Sequence, residues 1–445
     1  MSYLDNILFA ILLIVGFGFF AASVKKIMRN INLGVDVDRK DNPKARWKNM
    51  ALIALGQSKM VRRPVAGILH IFVYVGFVII NIELLEIIID GLFGTHRIFA
   101  PYLGVVYDVL IASFEILAIL VIVAVVTFWI RRNVIRLKRF VNSDLNGFPK
   151  SDANYILYFE TVLMILFLLM NASDLHLQNV PGGYSHFHKA GSYPISQFIA
   201  PIFNGTSNEL VGLLFEVFWW LHIVGILVFM NYLYFSKHLH ILLAFPNTYF
   251  ANLKPEGQFD NLASVTKEVK LMMDPNADPF AAAPVDENAA PAKFGASDVQ
   301  DLNWVQLLNA YTCTECGRCT SSCPANQTGK KLSPRKIMMD TRDRLTEVGK
   351  NIDANKGVFV PDNKTLLNDY ITPEELWACT SCNACVEECP VNISPLSIIM
   401  DMRRYLVMEQ SAAPMSLNAM MTNIENNGAP WQYSQQDRLN WKNEN

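Results

Sequence analysis

Cys313, Cys316, Cys319 and Cys323-Pro324 follow the pattern C-x2-C-x2-C-x3-C-P, and Cys379, Cys382, Cys385 and Cys389-Pro390 repeat it. All eight cysteines of the chain lie in these two runs. Three thiolates at this spacing can wrap one corner of an iron–sulfur cubane, while the fourth of each run points away and ligates the other cluster. On that rule Cys313, Cys316, Cys319 and Cys389 hold one [4Fe–4S] cluster. Cys379, Cys382, Cys385 and Cys323 hold the second. Structural zinc more often takes two separated C-x2-C pairs. No cysteine is left for scattered disulfides, so the expected chemistry is one-electron transfer in a reducing compartment.

A stretch of 55 residues separates Cys323 from Cys379, longer than the short connection of a small β-type ferredoxin. After each run comes a similar segment, "SPRKIMMDTRDRL" from Ser333 and "SPLSIIMDMRRYL" from Ser394, identical at seven of thirteen positions. Ser-Pro supplies an N-cap and a first-turn residue in both. The pseudo-repeat predicts a helical ferredoxin with two cluster loops packed back to back.

The elements that must position these loops begin in the other half of the chain. Of 445 residues 51% are hydrophobic, and the long apolar runs crowd into the first 245. Asn6–Val24, Pro64–Ile82 and segments near 109–130, 154–173 and 211–236 are each long enough to cross a bilayer. Eleven Lys and Arg lie between spans 1 and 2 and six between spans 3 and 4, whereas the opposite loops hold only Arg97 and Lys189. That bias puts the N-terminus outside and everything after residue 237 in the cytoplasm. The charges follow the first apolar run, so it is expected to stay as a span and not to be cleaved. A net charge of −2 argues against a nucleic-acid binder.

A carrier of single electrons needs an acceptor in the membrane half. His70 lies about two turns into span 2. His222 and His240 are 18 residues apart, five turns if the helix runs on, which would put both on one side about 27 Å apart. His238 would point away from that side. His70 and His240, at matched depth near the cytoplasmic end, are the expected axial ligands of a haem b. For His222, His176 just past span 4 is the candidate partner in a second haem. Carboxylates in lipid are costly and often mark proton or ligand paths. Glu83, Glu86, Glu115 and Glu216, all towards the outer side, are therefore candidates for quinone and proton chemistry, against the plainer reading of a polar outer rim.

These residues resemble known families. "RRPVAGILH" and "WWLHIVGILVFMNYLYFSKHLHILLAFPN" resemble the membrane subunit of respiratory nitrate reductase and the cytochrome b subunit of methanogen heterodisulfide reductase. "LLNAYTCTECGRCTSSCPANQTGKKLSP" is similar to the iron–sulfur subunit of the latter. Taken over residues 5–245 and 300–440, the chain resembles membrane-bound iron–sulfur oxidoreductases that pass electrons between electron-transferring flavoprotein, or related donors, and menaquinone. The resemblance assigns His70 and His240 to the cytoplasm-side haem and His222 to an outer one, whose second span-2 histidine is replaced here by Ile80. Related fused proteins continue into cysteine-rich CCG domains. The tail "NIENNGAPWQYSQQDRLNW" resembles the segment leading into them, which implies a split version with a separate CCG-type or flavoprotein subunit.

The expected fold is all-α, a five-helix transmembrane cytochrome b-type bundle plus a cytoplasmic α-helical ferredoxin domain. Residues 1–245 would form the membrane domain, 246–300 a linker rich in proline and alanine, 301–410 the two-cluster domain and 411–445 a partner-contacting tail. The expected function is that of the membrane anchor and electron-transfer subunit of a quinone oxidoreductase in a bacterial or archaeal cytoplasmic membrane. Two rivals share the sequence features: a quinol-oxidising subunit feeding a heterodisulfide- or sulfur-type reductase, and a membrane-tethered redox sensor. No Rossmann or flavin motif is present, so the chain by itself is not expected to oxidise a soluble substrate.

Overall fold

The computed structural model describes residues 3–276 and 293–443. Among the described residues the regular elements are helical and no strand forms; the β-bridges are isolated ones. Helix α1 (Tyr3–Ile31) is followed by the short α2 (Pro43–Met50), then by α3 (Pro64–Phe93), α4 (Val105–Asn133), α5 (Phe148–Gln178) and α6 (Asn208–Tyr232). All but α2 are long and apolar enough to cross a membrane. They close a ring in which α1 packs on α3, α3 on α4, α4 on α5, α5 on α6 and α6 back on α1. Phe9, Ile111, Phe167 and Ile223 fill its centre, while large apolar side chains such as Ile14 and Phe19 face outwards, where lipid tails would cover them.

Beyond α6 the chain does not continue as one helix. Ser236 adopts an extended conformation (φ −108°, ψ 146°), and its Oγ accepts a bond from the His238 N–H at 3.0 Å. Asp152 of α5 holds the break, accepting from the Lys237 N–H at 3.1 Å and the Tyr232 hydroxyl at 2.7 Å. Helix α7 (His240–Tyr249) starts afresh. The expectation of a continuous 18-residue helical interval between His222 and His240 is therefore corrected. A polar side chain from a neighbouring span captured the backbone there.

Helix α7 packs on α9 (Trp304–Thr312) of the cysteine-bearing half and on α2, with α8 (Ala263–Met273) lying between in sequence. The expected domain boundary at 245/246 thus falls inside α7. Of the 246–300 linker, Ala296 and Val299 are buried in the second half's core, and residues 277–292 lie outside the described residues. Helices α10 (Pro334–Ala354) and α11 (Pro395–Met408) begin as the repeat predicts: Ser333 caps the Lys336 N–H and Ser394 the Ser397 N–H, each at 3.3 Å. Helix α12 (Met415–Asn427) follows, with no buried residue.

The two halves share one hydrophobic core. Ile27 and Ile31 of α1, with Leu233 and Leu239, pack among Leu307, Ile337, Leu345 and Ile398. Val35 exchanges backbone bonds with Leu302 and Trp304, so closely that a Cβ on Gly34 would stand 2.7 Å from the Leu302 carbonyl oxygen. An alanine there would push the two segments apart. The cysteine-bearing half therefore does not swing on a tether but is built against the end of the bundle where α1 finishes.

Candidate redox site

Both cysteine loops use the same backbone device. Glu315 (φ 54°) and Gly317 (φ 71°) in the first, and Ser381 (φ 57°) and Asn383 (φ 60°) in the second, are left-handed at matching positions. Two such residues turn the backbone of each C-x2-C-x2-C run between its cysteines. The backbone N–H of Ser381 points at Cys379 Sγ (3.4 Å) and that of Ile393 at Cys389 Sγ (3.3 Å), bonds of the kind that tune cluster potentials.

The eight cysteines are free thiols and only Cys382 is exposed. Burial, with smaller contributions from neighbouring side chains, pushes Cys313 up to about 12 and Cys389 to about 11. For Cys319 burial acts together with Cys316, Cys313, Cys389 and Cys385; for Cys385 it acts together with Cys379, Cys323 and Cys382. The two runs thus lie close enough for thiols of one to act on thiols of the other. Buried thiols crowded in this way carry charge only if a cation compensates them. Among the described residues no three His, Cys, Asp or Glu side chains converge to hold a single metal ion; a cubane, whose thiolates sit on four separate irons, asks for no such convergence.

The first loop faces the membrane half. Glu315, 2% exposed, pairs with Lys237 and, at 2.7 Å, with Arg342. Burial tends to raise its carboxyl, but the two cations outweigh that and hold it below the usual range. Arg318 donates to the Lys59 and Met60 carbonyls at 3.2 and 3.3 Å. Arg335, fully buried, binds Asp144 at 2.5 Å and the Arg139 carbonyl at 2.6 Å. In the second loop the residues matching Glu315 and Arg318 are Ser381 and Ala384. The contrast within the repeat was the available sign that the first loop docks, and reading the cysteines alone passed over it.

His70 and His240 come together, ring centroids 6.5 Å apart and planes tilted by 40°. Metal–imidazole bonds of roughly 2.0–2.1 Å on either side of one ion would set the centroids about 6 Å apart, so the pair fits bis-histidine ligation. His240 Nδ1 lies 3.1 Å from the Lys237 carbonyl. Donation there leaves Nε2 with a free lone pair, the arrangement a metal ligand needs. His70 Nδ1 is buried without a partner. His238, expected to point away, instead stands 5.4 Å from the His240 ring and 3.5 Å from Glu160, because the break at Ser236 turned it.

His222 is buried, packs on Phe167 at 6.0 Å and leaves Nδ1 unpartnered. The structure does not bring His176 to it. His176 packs on Phe203 and lines a separate pocket of ≈ 570 Å³ with Asn179 and Gln197. Nine residues of α5, about 13.5 Å, separate it from Phe167. His222 alone does not make a bis-histidine site.

The carboxylates at the end of the bundle away from the cysteines have structural partners. Arg97, 7% exposed, donates to Glu83 (2.9 Å), Asp174 (3.0 Å) and Asn171 (2.7 Å). Glu86 accepts from Tyr107 and the Phe99 N–H, Asp90 from the Arg97 N–H, and Glu115 from the N–H groups of Ile195 and Ser196. They tie the loops at that end to the helices. Glu216 differs: it lines a pocket of ≈ 320 Å³ with His96, His186, Glu209 and Trp219. Trp219 and Glu216 stand three and six residues before His222, about 4.5 and 9 Å along α6.

Residues 312–393, which take in every cysteine, match the 4Fe-4S dicluster domain family. The chain is 30% identical, over 96% of its length and 59% of the relative's, to a probable iron-sulfur-binding oxidoreductase FadF of Bacillus subtilis. It is 25% identical, over 92% of its length and 55% of the relative's, to an EtfAB:quinone oxidoreductase of Syntrophomonas wolfei. A probable membrane-anchored ferredoxin of Chromohalobacter salexigens is 34% identical over 35% of this chain and 25% of its own. The likeness is to membrane iron–sulfur oxidoreductases. The chain spans less than three fifths of the length of the first two relatives. No solved structure matches.

Proposed function

We propose that this chain is the membrane anchor and electron-transfer subunit of a quinone oxidoreductase complex. The observation that carries the reading is that the loop of Cys313–Cys319 is clamped, through Glu315 and Lys237, to the turn bearing His240, opposite His70. Cys313, Cys316, Cys319 and Cys389 would hold one [4Fe–4S] cluster and Cys379, Cys382, Cys385 and Cys323 the other. His70 and His240 would hold a haem b. Bound there, these groups supply one-electron chemistry; the chain positions them and excludes water. Lys237 orients His240, Arg318 and Arg335 seat the first loop on the bundle, and the left-handed residues shape both loops.

A quinone head group fits the outer pocket, where Glu216, His96 and His186 supply proton-carrying groups and His222 lies close by on the same helix. The basic loops 25–63 and 131–150 favour the N-terminus outside and the cysteine half in the cytoplasm. There the exposed Cys382 offers an approach for a soluble partner. The Syntrophomonas relative is an EtfAB:quinone oxidoreductase, which favours an EtfAB-like partner and a quinone acceptor here, and the exposed α12 and tail offer a contact for that partner.

A reduced-minus-oxidised optical spectrum of the purified protein, with haem and iron quantified, tests the reading. A b-type α-band and about nine irons per chain, eight in the clusters and one in the haem, are expected. Absence of haem, or zinc in place of iron, would overturn it.

A further inference from the structure

We propose that the buried Lys237–Glu315 ion pair is a positioning strut, fixing the His240 ring relative to the first cysteine loop so that a change at either end is felt at the other. The proposal rests on reading His70 and His240 as haem ligands and Cys313, Cys316 and Cys319 as cluster ligands.

Lys237 joins the two sides through two different atoms. Its carbonyl oxygen takes the His240 Nδ1 bond at 3.1 Å, and its ammonium pairs with Glu315, which lies between Cys313 and Cys316. Neither end can move without displacing the other. The Lys237 ammonium is also held by the Pro149 carbonyl at 2.6 Å and its N–H by Asp152 at 3.1 Å, both on α5. Glu315 is held from behind by Arg342 of α10, and its own backbone is left-handed. The ion pair is thus strung between a membrane helix and a helix of the other half, with the ring on one side and the thiols on the other.

A plain docking contact would look different. Arg62–Glu387, Arg63–Glu388 and the buried Arg335–Asp144 also bridge the halves, but none of these pairs holds a histidine ring, whereas the Lys237 carbonyl holds His240. Lys237 and Glu315 are 9% and 2% exposed. The repeat supplies an internal control: at the matching position of the second loop stands Ser381, whose hydroxyl reaches only Met400 Sδ at 3.9 Å. The charged residue occurs in the loop that meets the histidine turn. Coupling through such a strut is reciprocal.

The test uses the full-length protein in detergent with Glu315→Gln, Glu315→Asp, Lys237→Met and Lys237→Arg. The readouts are the electron paramagnetic resonance signal of the oxidised haem, that of the dithionite-reduced clusters, and haem and iron content. Glu315→Gln, though in the cysteine loop, is expected to shift the haem signal. Lys237→Met is expected to shift the cluster signal. Contents should stay at the parent level, Glu315→Asp should give a smaller shift, and Lys237→Arg should restore both signals. Signals that change only on the substituted side overturn the strut, as does loss of iron in both Glu315 variants, which would make the pair a mere support of the fold. A parent protein without haem removes the underlying reading before any variant is made; a parent with haem and clusters but uncoupled signals removes the strut alone.

Discussion

The rings of His70 and His240 face each other 6.5 Å apart, although one sits near the start of a membrane helix and the other opens a helix that packs on the cysteine-bearing half. His70→Ala or His240→Ala should remove the haem while leaving non-haem iron at the parent level, measured by haemochrome and non-haem iron assay. Loss of cluster iron with the haem would break the assignment. His222→Ala should leave this haem in place, since its ring lies deeper in the bundle against Phe167.

Arg97 and Glu216 should behave in opposite ways. Arg97→Met leaves Glu83 and Asp174 buried without their cation, a change that costs about 3–5 kcal/mol and should lower the thermal unfolding midpoint. Glu216 is exposed on the pocket wall, so Glu216→Gln should stay within about 0.5 kcal/mol of the parent while slowing quinone turnover. Equal turnover in the two proteins would remove Glu216 from the quinone site.

Arg335→Ala removes the buried partner of Asp144 and frees the Arg139 carbonyl. The loop 138–145 should then exchange its amide hydrogens faster and the junction should become more open to protease, with the membrane helices unchanged. Equal exchange in both proteins would show that the shared apolar core alone fastens the halves.

Iron removal exposes the thiol chemistry. With no metal, burial holds Cys313 and Cys385 near 12 and Cys389 near 11, so at neutral pH they stay protonated and react slowly with iodoacetamide. A raised folded value means that the thiolate fraction, and with it the alkylation rate, climbs as pH rises towards those values. Cys382, the exposed one, should be labelled first by mass spectrometry, and iron-loaded protein should resist labelling at all eight.

The sequence by itself determined the local features: two cysteine loops, the Ser-Pro caps of α10 and α11, five apolar runs and their basic loops. Each is written in spacing or composition within a few turns of chain, which is why it could be read directly. It also pointed to His70 and His240 as a pair, but by way of a continuous helix that does not exist. Tertiary structure decided the rest. Asp152, on another span, broke the helix after Tyr232 and turned both His238 and His240. Arg97 drew Glu83 and Asp174 into the fastening of the loops at the end away from the cysteines, and Lys237 found Glu315 across the junction. A buried polar group must find its partner wherever the fold brings one within reach, and that partner is usually remote in sequence; spacing along the chain therefore fixes the thiols, and packing between helices fixes what they face.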